Sequence, residues 1–158
     1  MNIEKMMSKD VRTCTPSDTL NRAAQLMWEG DCGFLAVVGE QQQLVGVVTD
    51  RDLCMGAYTQ GVPLWGASVS SVMSKDVQTC HGTDDAGEVE QLMREKQVRR
   101  VPVVDSSGSL VGLVTLGDLA RCSQASAFKK AASGFAIAKT LAGICESRSP
   151  QEGVAAAH

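Results

Sequence analysis

Residues 7–54 read MSKDVRTCTPSDTLNRAAQLMWEGDCGFLAVVGEQQQLVGVVTDRDLC, and residues 73–120 read MSKDVQTCHGTDDAGEVEQLMREKQVRRVPVVDSSGSLVGLVTLGDLA. The two stretches align without a gap at a constant offset of 66. Both open on Met-Ser-Lys-Asp-Val, pass through Leu-Met in a helical pattern, and close on Gly-x-Val-Thr-x-x-Asp-Leu. A repeat of this length is one folding unit that buries its apolar face against its neighbour.

Each copy carries the same order of patterns. In the first, a strand is expected at residues 11–13, and Pro16-Ser17-Asp18 turns the chain. Ser17 or Thr19 then caps a helix on which Leu20, Ala23, Ala24 and Met27 recur at i, i+3, i+4 and i+7. Gly30-Asp31 ends it. Phe34–Val38 and Leu44–Thr49 are apolar runs of strand length on either side of a polar turn, so they form a hairpin. Asp50 opens a second helix that runs to about Gln60. The second copy repeats the plan: a strand at 77–79, a helix at about 85–96 with Val89, Leu92 and Met93 inward, strands at 101–104 and Leu110–Thr115 around the turn Asp105-Ser106-Ser107-Gly108, and a helix from Leu116.

The expected fold is therefore α+β: two β-α-β-β-α repeats packed with pseudo-two-fold symmetry around a shared core, plus a carboxy-terminal helix. The expected units are an amino-terminal helix at 1–6, repeat one at 7–60, a linker at 61–72, repeat two at 73–128, the last helix at 129–147 and a flexible tail at 148–158. Phe135, Ala138, Leu141, Ala142 and Cys145 mark one apolar face of the last helix, which needs either the module or a second subunit to cover it. Trp65, in the linker, is expected to pack over the seam between the repeats, with a partner interface as the alternative.

The 158 residues hold 15 basic and 18 acidic side chains, a net charge of −3, which does not suggest a nucleic-acid or membrane-surface protein. The leading MNIEKMMSKD has no signal-like apolar stretch, and no run of about 18 apolar residues follows, so the expected location is cytoplasmic. The six cysteines include no Cys-x-x-Cys pair and read as core thiols, with a zinc site or disulfides as the alternative. Met6, Met7, Met27, Met55, Met73 and Met93 read as packing. His81 and His158 are the only histidines, too few for a nucleophile–base set, and no Gly-x-x-x-x-Gly-Lys loop occurs. No catalytic residue and no metal ligand is assigned, and the chain does not read as an enzyme.

The repeated Met-Ser-Lys-Asp-Val, Leu-Met and Gly-x-Val-Thr-x-x-Asp-Leu elements resemble the CBS domain, and their tandem arrangement over residues 7–120 resembles the CBS pair, or Bateman module. The resemblance implies two clefts between the copies that take adenosine ligands, with Thr on the phosphate side, Asp on the ribose and the first strand around the adenine. It also implies a flat homodimer.

The residues support that chemistry. Thr49 ends a strand and Asp52 lies in the first turn of the next helix, where unsatisfied N–H groups and the helix dipole suit phosphate. A carboxylate suits two vicinal ribose hydroxyls. Gly46, three residues earlier, lets another group approach the strand closely. Thr115 and Asp118 are the counterparts, and for both pairs simple helix capping is the alternative. Within the resemblance, Arg99 and Arg100 reach across to the cleft of Thr49 and Asp52, which gathers Arg51 as well and is lined by Val11, Thr13 and Pro102. The other cleft, with Thr115, Asp118, Val77 and Thr79, receives Gly33 and Phe34 instead and is the weaker. The arginines could alternatively be a solvated strand edge. Ala36 stands where copy two has Pro102, and His81 reads as a surface-loop residue. The expected ligand is an adenosine nucleotide (AMP, ADP or ATP), acting on a separate effector protein. The alternative is a dimeric interaction scaffold that keeps the fold without useful ligand binding.

Overall fold

The computed structural model describes residues 1–124 and 134–145. Copy one comprises β1 (Thr13–Cys14), α1 (Leu20–Glu29), β2 (Phe34–Val38), β3 (Leu44–Thr49) and α2 (Asp50–Gln60). Copy two comprises α3 (Ala86–Lys96), β4 (Arg100–Val104), β5 (Leu110–Thr115) and α4 (Leu116–Gln124), and α5 (Gly134–Ile144) follows. The expected tail at 148–158 lies outside the described residues. No helix among them is long and apolar enough to cross a membrane.

Local chemistry sets the helix ends. Thr19 rather than Ser17 caps α1, accepting from the Arg22 N–H, and Asp85 caps α3 in a reciprocal pair with Glu88. Leu20, Ala23 and Met27 of α1 and Val89 and Met93 of α3 are buried as their spacing requires, with Leu92 half-buried. Cys14 and Cys80 are core thiols, and burial, reinforced by Asp18 and Asp84 respectively, pushes both up to about 12.

The two copies do not share one core. The buried side chains form two clusters, one per copy, each completed by a segment that precedes the other copy in sequence. Ile3, Met6 and Met7 pack into copy two, whereas Ala67, Val69, Val72 and Met73 pack onto copy one. Backbone pairing makes the exchange exact in register: Ser8 bridges Leu113, and Ser74, its equivalent, bridges Val47, the equivalent of Leu113. Gly46 and Gly112 permit it, since a Cβ on Gly46 would lie 2.9 Å from the Ser74 carbonyl oxygen and one on Gly112 3.1 Å from that of Ser8. The group that approaches Gly46 is thus the other leader.

The pseudo-two-fold axis can be read from residues that meet their own equivalents. Gln43 bridges Ser109, with the Leu44 N–H donating to Gly108 and the Leu110 N–H donating to Gln42. The symmetry breaks at the first strand. β1 pairs in parallel with β2, and the Ala36 N–H donates to the Arg12 carbonyl at 3.3 Å. In copy two Pro102 replaces Ala36 and has no N–H to give. The strand expected at 77–79 is accordingly reduced to a single bridge between Cys80 and Val103.

Two further expectations are corrected. Trp65 does not cover the seam; it is 73% exposed, because the linker returns to copy one through the Leu20 N–H to Ala67 carbonyl bond and turns Leu64, not Trp65, toward α1. Met55 is exposed rather than packed, since it lies on the outer side of α2. The face of α5 marked by Ala138, Leu141, Ala142 and Cys145 is exposed, which leaves a second subunit as its cover; the helix docks on the module through Ile137, Thr140 and Ile144, where Gly143 lets it close on Arg94. The side chain of Phe135 lies outside the described residues.

Candidate functional site

β3 delivers Thr49 to the start of α2, and hydrogen bonds exchanged there fix the local geometry. The Thr49 hydroxyl accepts from the Asp52 N–H at 3.3 Å, while Asp52 Oδ2 accepts from the Thr49 N–H and hydroxyl, both at 2.8 Å. Capping therefore occupies one carboxylate oxygen only. Asp52 is half-buried, and among the described residues its Oδ1 accepts no hydrogen bond.

The second copy builds the same cap with a different outcome. Thr115 and Asp118 exchange bonds of 2.8, 2.7 and 3.2 Å at the start of α4. Asp118 is only 5% exposed, however, and its Oδ1 accepts from the guanidinium of Arg121, one turn further along. The position equivalent to Arg121 in copy one is Met55. Arg121 lies outside the repeated motif, and the only sequence signal for it is its place three residues after Asp118 on a helix, where an Asp and an Arg are natural partners.

Arg100 links the two ends. Its backbone pairs with Thr115, yet its guanidinium stands 5.8 Å from the ring centroid of Phe34, the strand partner of Thr49. Phe34 and Arg100 are equivalent in the repeat, so this contact lies at the pseudo-two-fold axis. Burial and the neighbouring Arg99 hold the Arg100 guanidinium below its usual range, with Asp50 and Cys32 acting in the opposite sense. Arg99 stays with its own copy: it is exposed and, with Thr115 and Gly117, lines a cleft of about 440 Å³ that Ile137 and Leu141 of α5 border. Arg51 is exposed on α2, its N–H donating to the Asp50 carboxylate at 2.8 Å.

Val11 and Thr13 are half-buried, and continuing the register of β1 puts Val11 level with Phe34, at the Thr49 end. Val77 is half-buried and Thr79 exposed, and the same offset puts Val77 level with Arg100 at the Thr115 end. Pro102 is buried in mid-sheet opposite Leu113. His81 is a surface residue whose Nδ1 lies 3.0 Å from the Val104 carbonyl. No cluster of three or more His, Cys, Asp and Glu suited to a metal occurs among the described residues. The structure thus sets Val11, Phe34, Thr49 and Asp52 at one end and Arg99 with Thr115 at the other, while Arg100, whose guanidinium faces Phe34, also lines the cleft of Thr115. No sequence signal pointed to α5 as a border of that second end.

Comparison with known proteins agrees with this architecture. The CBS domain profile matches residues 3–56 and 69–125, two segments that begin at the equivalent residues Ile3 and Val69. The chain is 38% identical over 119 residues to the CBS domain-containing protein YhcV of Bacillus subtilis, covering 75% of this chain and 83% of YhcV. It spans 61% of an uncharacterized protein of Methanopyrus kandleri and 22% of the inosine-5'-monophosphate dehydrogenase of Thermoplasma acidophilum. Among solved structures, the CBS domain pair of protein MJ0100 in complex with 5'-methylthioadenosine and S-adenosyl-L-methionine superposes with a TM-score of 0.68 at 26% identity, over 77% of this chain and 94% of that one. CBSX2 in complex with AMP superposes with a TM-score of 0.67 at 26% identity, over 76% of this chain and 93% of that one.

Proposed function

Because the chain belongs to the CBS-domain family and carries two of its domains in tandem, we propose that it is a regulatory module that binds a phosphorylated adenosine nucleotide at the Thr49–Asp52 end of its cleft. As a cytoplasmic homodimer it passes the occupancy of that cleft to a separate effector protein. The observation that carries this reading is the uncommitted Oδ1 of Asp52, in contrast with the Oδ1 of Asp118, which Arg121 engages. One oxygen of Asp52 holds the helix start, and the other is left to accept from ribose hydroxyls. The guanidinium of Arg100, beside Phe34 at that end, supplies the positive charge that phosphate requires. The adenosine ligands of the MJ0100 and CBSX2 pairs support the adenosine part of the reading.

A scaffold without ligand binding is the second reading, favoured by the way Arg121 occupies the second oxygen of Asp118 at the other end. Thermal melting with AMP, ADP, ATP, NADH and S-adenosylmethionine separates the two. A ligand at a hundred times its dissociation constant adds about 2.7 kcal/mol, several degrees for a chain of this size. The expected result is a shift with a phosphorylated adenosine ligand that disappears in Asp52→Ala. No shift with any of the five selects the scaffold.

A further inference from the structure

Apolar surface is exposed on two separate faces of this chain. One is a cleft of about 830 Å³ on copy one, between α1, α2 and Leu64 and bordered by Arg100 of copy two, with Trp28 on its rim at 89% exposure. Tyr58 of α2 and Trp65, next to Leu64, are also largely exposed. The other face is the outer side of α5, where Ala138, Leu141, Ala142 and Cys145 recur at i, i+3, i+4 and i+7 and are all exposed. Copy two has the equivalent of the copy-one cleft between α3 and α4, and there α5 covers it from within the chain. The repeat therefore has a helix-accepting face that this chain fills once and leaves open once.

We propose that the open cleft of copy one receives the outer face of α5 from a second copy of the chain, in a two-fold, head-to-tail dimer. This rests on the homodimer of the reading above and names the surfaces that form it. Closure argues for it: each chain offers one open cleft and one open α5 face, so a two-fold axis fills both at once, whereas a cleft-to-cleft dimer would leave both α5 faces in water. Shape agrees, because Ala138 and Ala142 let a helix backbone approach a cleft floored by Ala24 and Ala57. Charge agrees as well. Lys139 is the only charged residue of α5 and is exposed, while the cleft is lined by the exposed Asp31 and Asp50 and the half-buried Arg100, two negative charges against one positive. Trp28, 89% exposed on the rim, alone contributes about 150–250 Å² toward the roughly 800 Å² per partner that a stable interface requires.

Native cysteines provide the test. Cys54 lines the cleft and Cys145 lies on the outer face of α5, and both are exposed. Treatment with a short bismaleimide, isolation of the cross-linked dimer and peptide mapping should give Cys54 joined to Cys145 as the main product. Trp28→Glu and Ala142→Glu, both at exposed positions, should each yield a monomer by sedimentation equilibrium with the melting transition retained. Cys54–Cys54 or Cys145–Cys145 as the main product, a dimer without the Cys54–Cys145 product, or a dimer untouched by either substitution would overturn the α5 docking while leaving the homodimer standing. A monomeric wild-type protein would overturn both.

Discussion

Asp52 and Asp118 occupy the same place in the repeat and keep different company. Thr49, Asp52 and their counterparts were legible in the sequence because the capping geometry depends only on residues three apart. What each second oxygen meets was less legible, since it depends on position 121 in one copy and 55 in the other. Glu90 shows the same limit. It stands on α3 where copy one has Ala24, and nothing local to it marks it as buried. The docking of α5 leaves it 6% exposed, with Oε1 lacking a hydrogen-bond partner among the described residues. Burial raises its carboxyl above the usual range, Arg94 acts to lower it, and Asp85 acts in the same sense as burial. Because the folded state then binds the proton more tightly than the unfolded chain, stability is greatest below the ordinary carboxylate range and falls as pH rises through the raised value. Glu90→Gln should therefore raise the melting temperature by a few degrees at pH 7.5, with the gain over wild type shrinking toward pH 4. An equal gain at both pH values would contradict the buried carboxylate.

At the scale of elements, the helices and hairpins followed from periodicity and turn chemistry, whereas the exchange of leaders did not. Ser8 and Ser74 are polar, and their partners lie more than twenty residues away in sequence, so no local pattern announces the pairing. The glycines were the available clue: Gly46 signalled a close approach without saying by what. Gly46→Ala would push a methyl against the Ser74 carbonyl and should cost on the order of 1–3 kcal/mol in denaturant unfolding. A change below a few tenths would mean that the leader is not held there. Pro102 was noticed as a departure between the copies, but its effect became visible only with the bond that Ala36 makes to Arg12. Nearly every side of α5 is apolar, so the sequence left open which side meets the module; Ile137, Thr140 and Ile144 do, with the small Gly143 close against Arg94.

At the scale of the molecule, the repeat produces two nearly equivalent halves, and a few substitutions make them unequal. Phe34 facing Arg100 sets the asymmetry at the axis, Arg121 satisfies the second aspartate, and α5 borders the second cleft. The pseudo-symmetry was legible from the alignment of the copies. The inequality was legible only in part, through the arginines, because α5 lies beyond the repeat and its partner surface is tertiary. On the proposed function the whole chain holds two clefts of common ancestry, of which one binds. Isothermal titration with AMP, on wild type, Asp52→Ala and Asp118→Ala, tests it most directly. The account predicts one site per chain, lost in Asp52→Ala and retained in Asp118→Ala. Two equal sites per chain, or binding lost in Asp118→Ala and kept in Asp52→Ala, would contradict it.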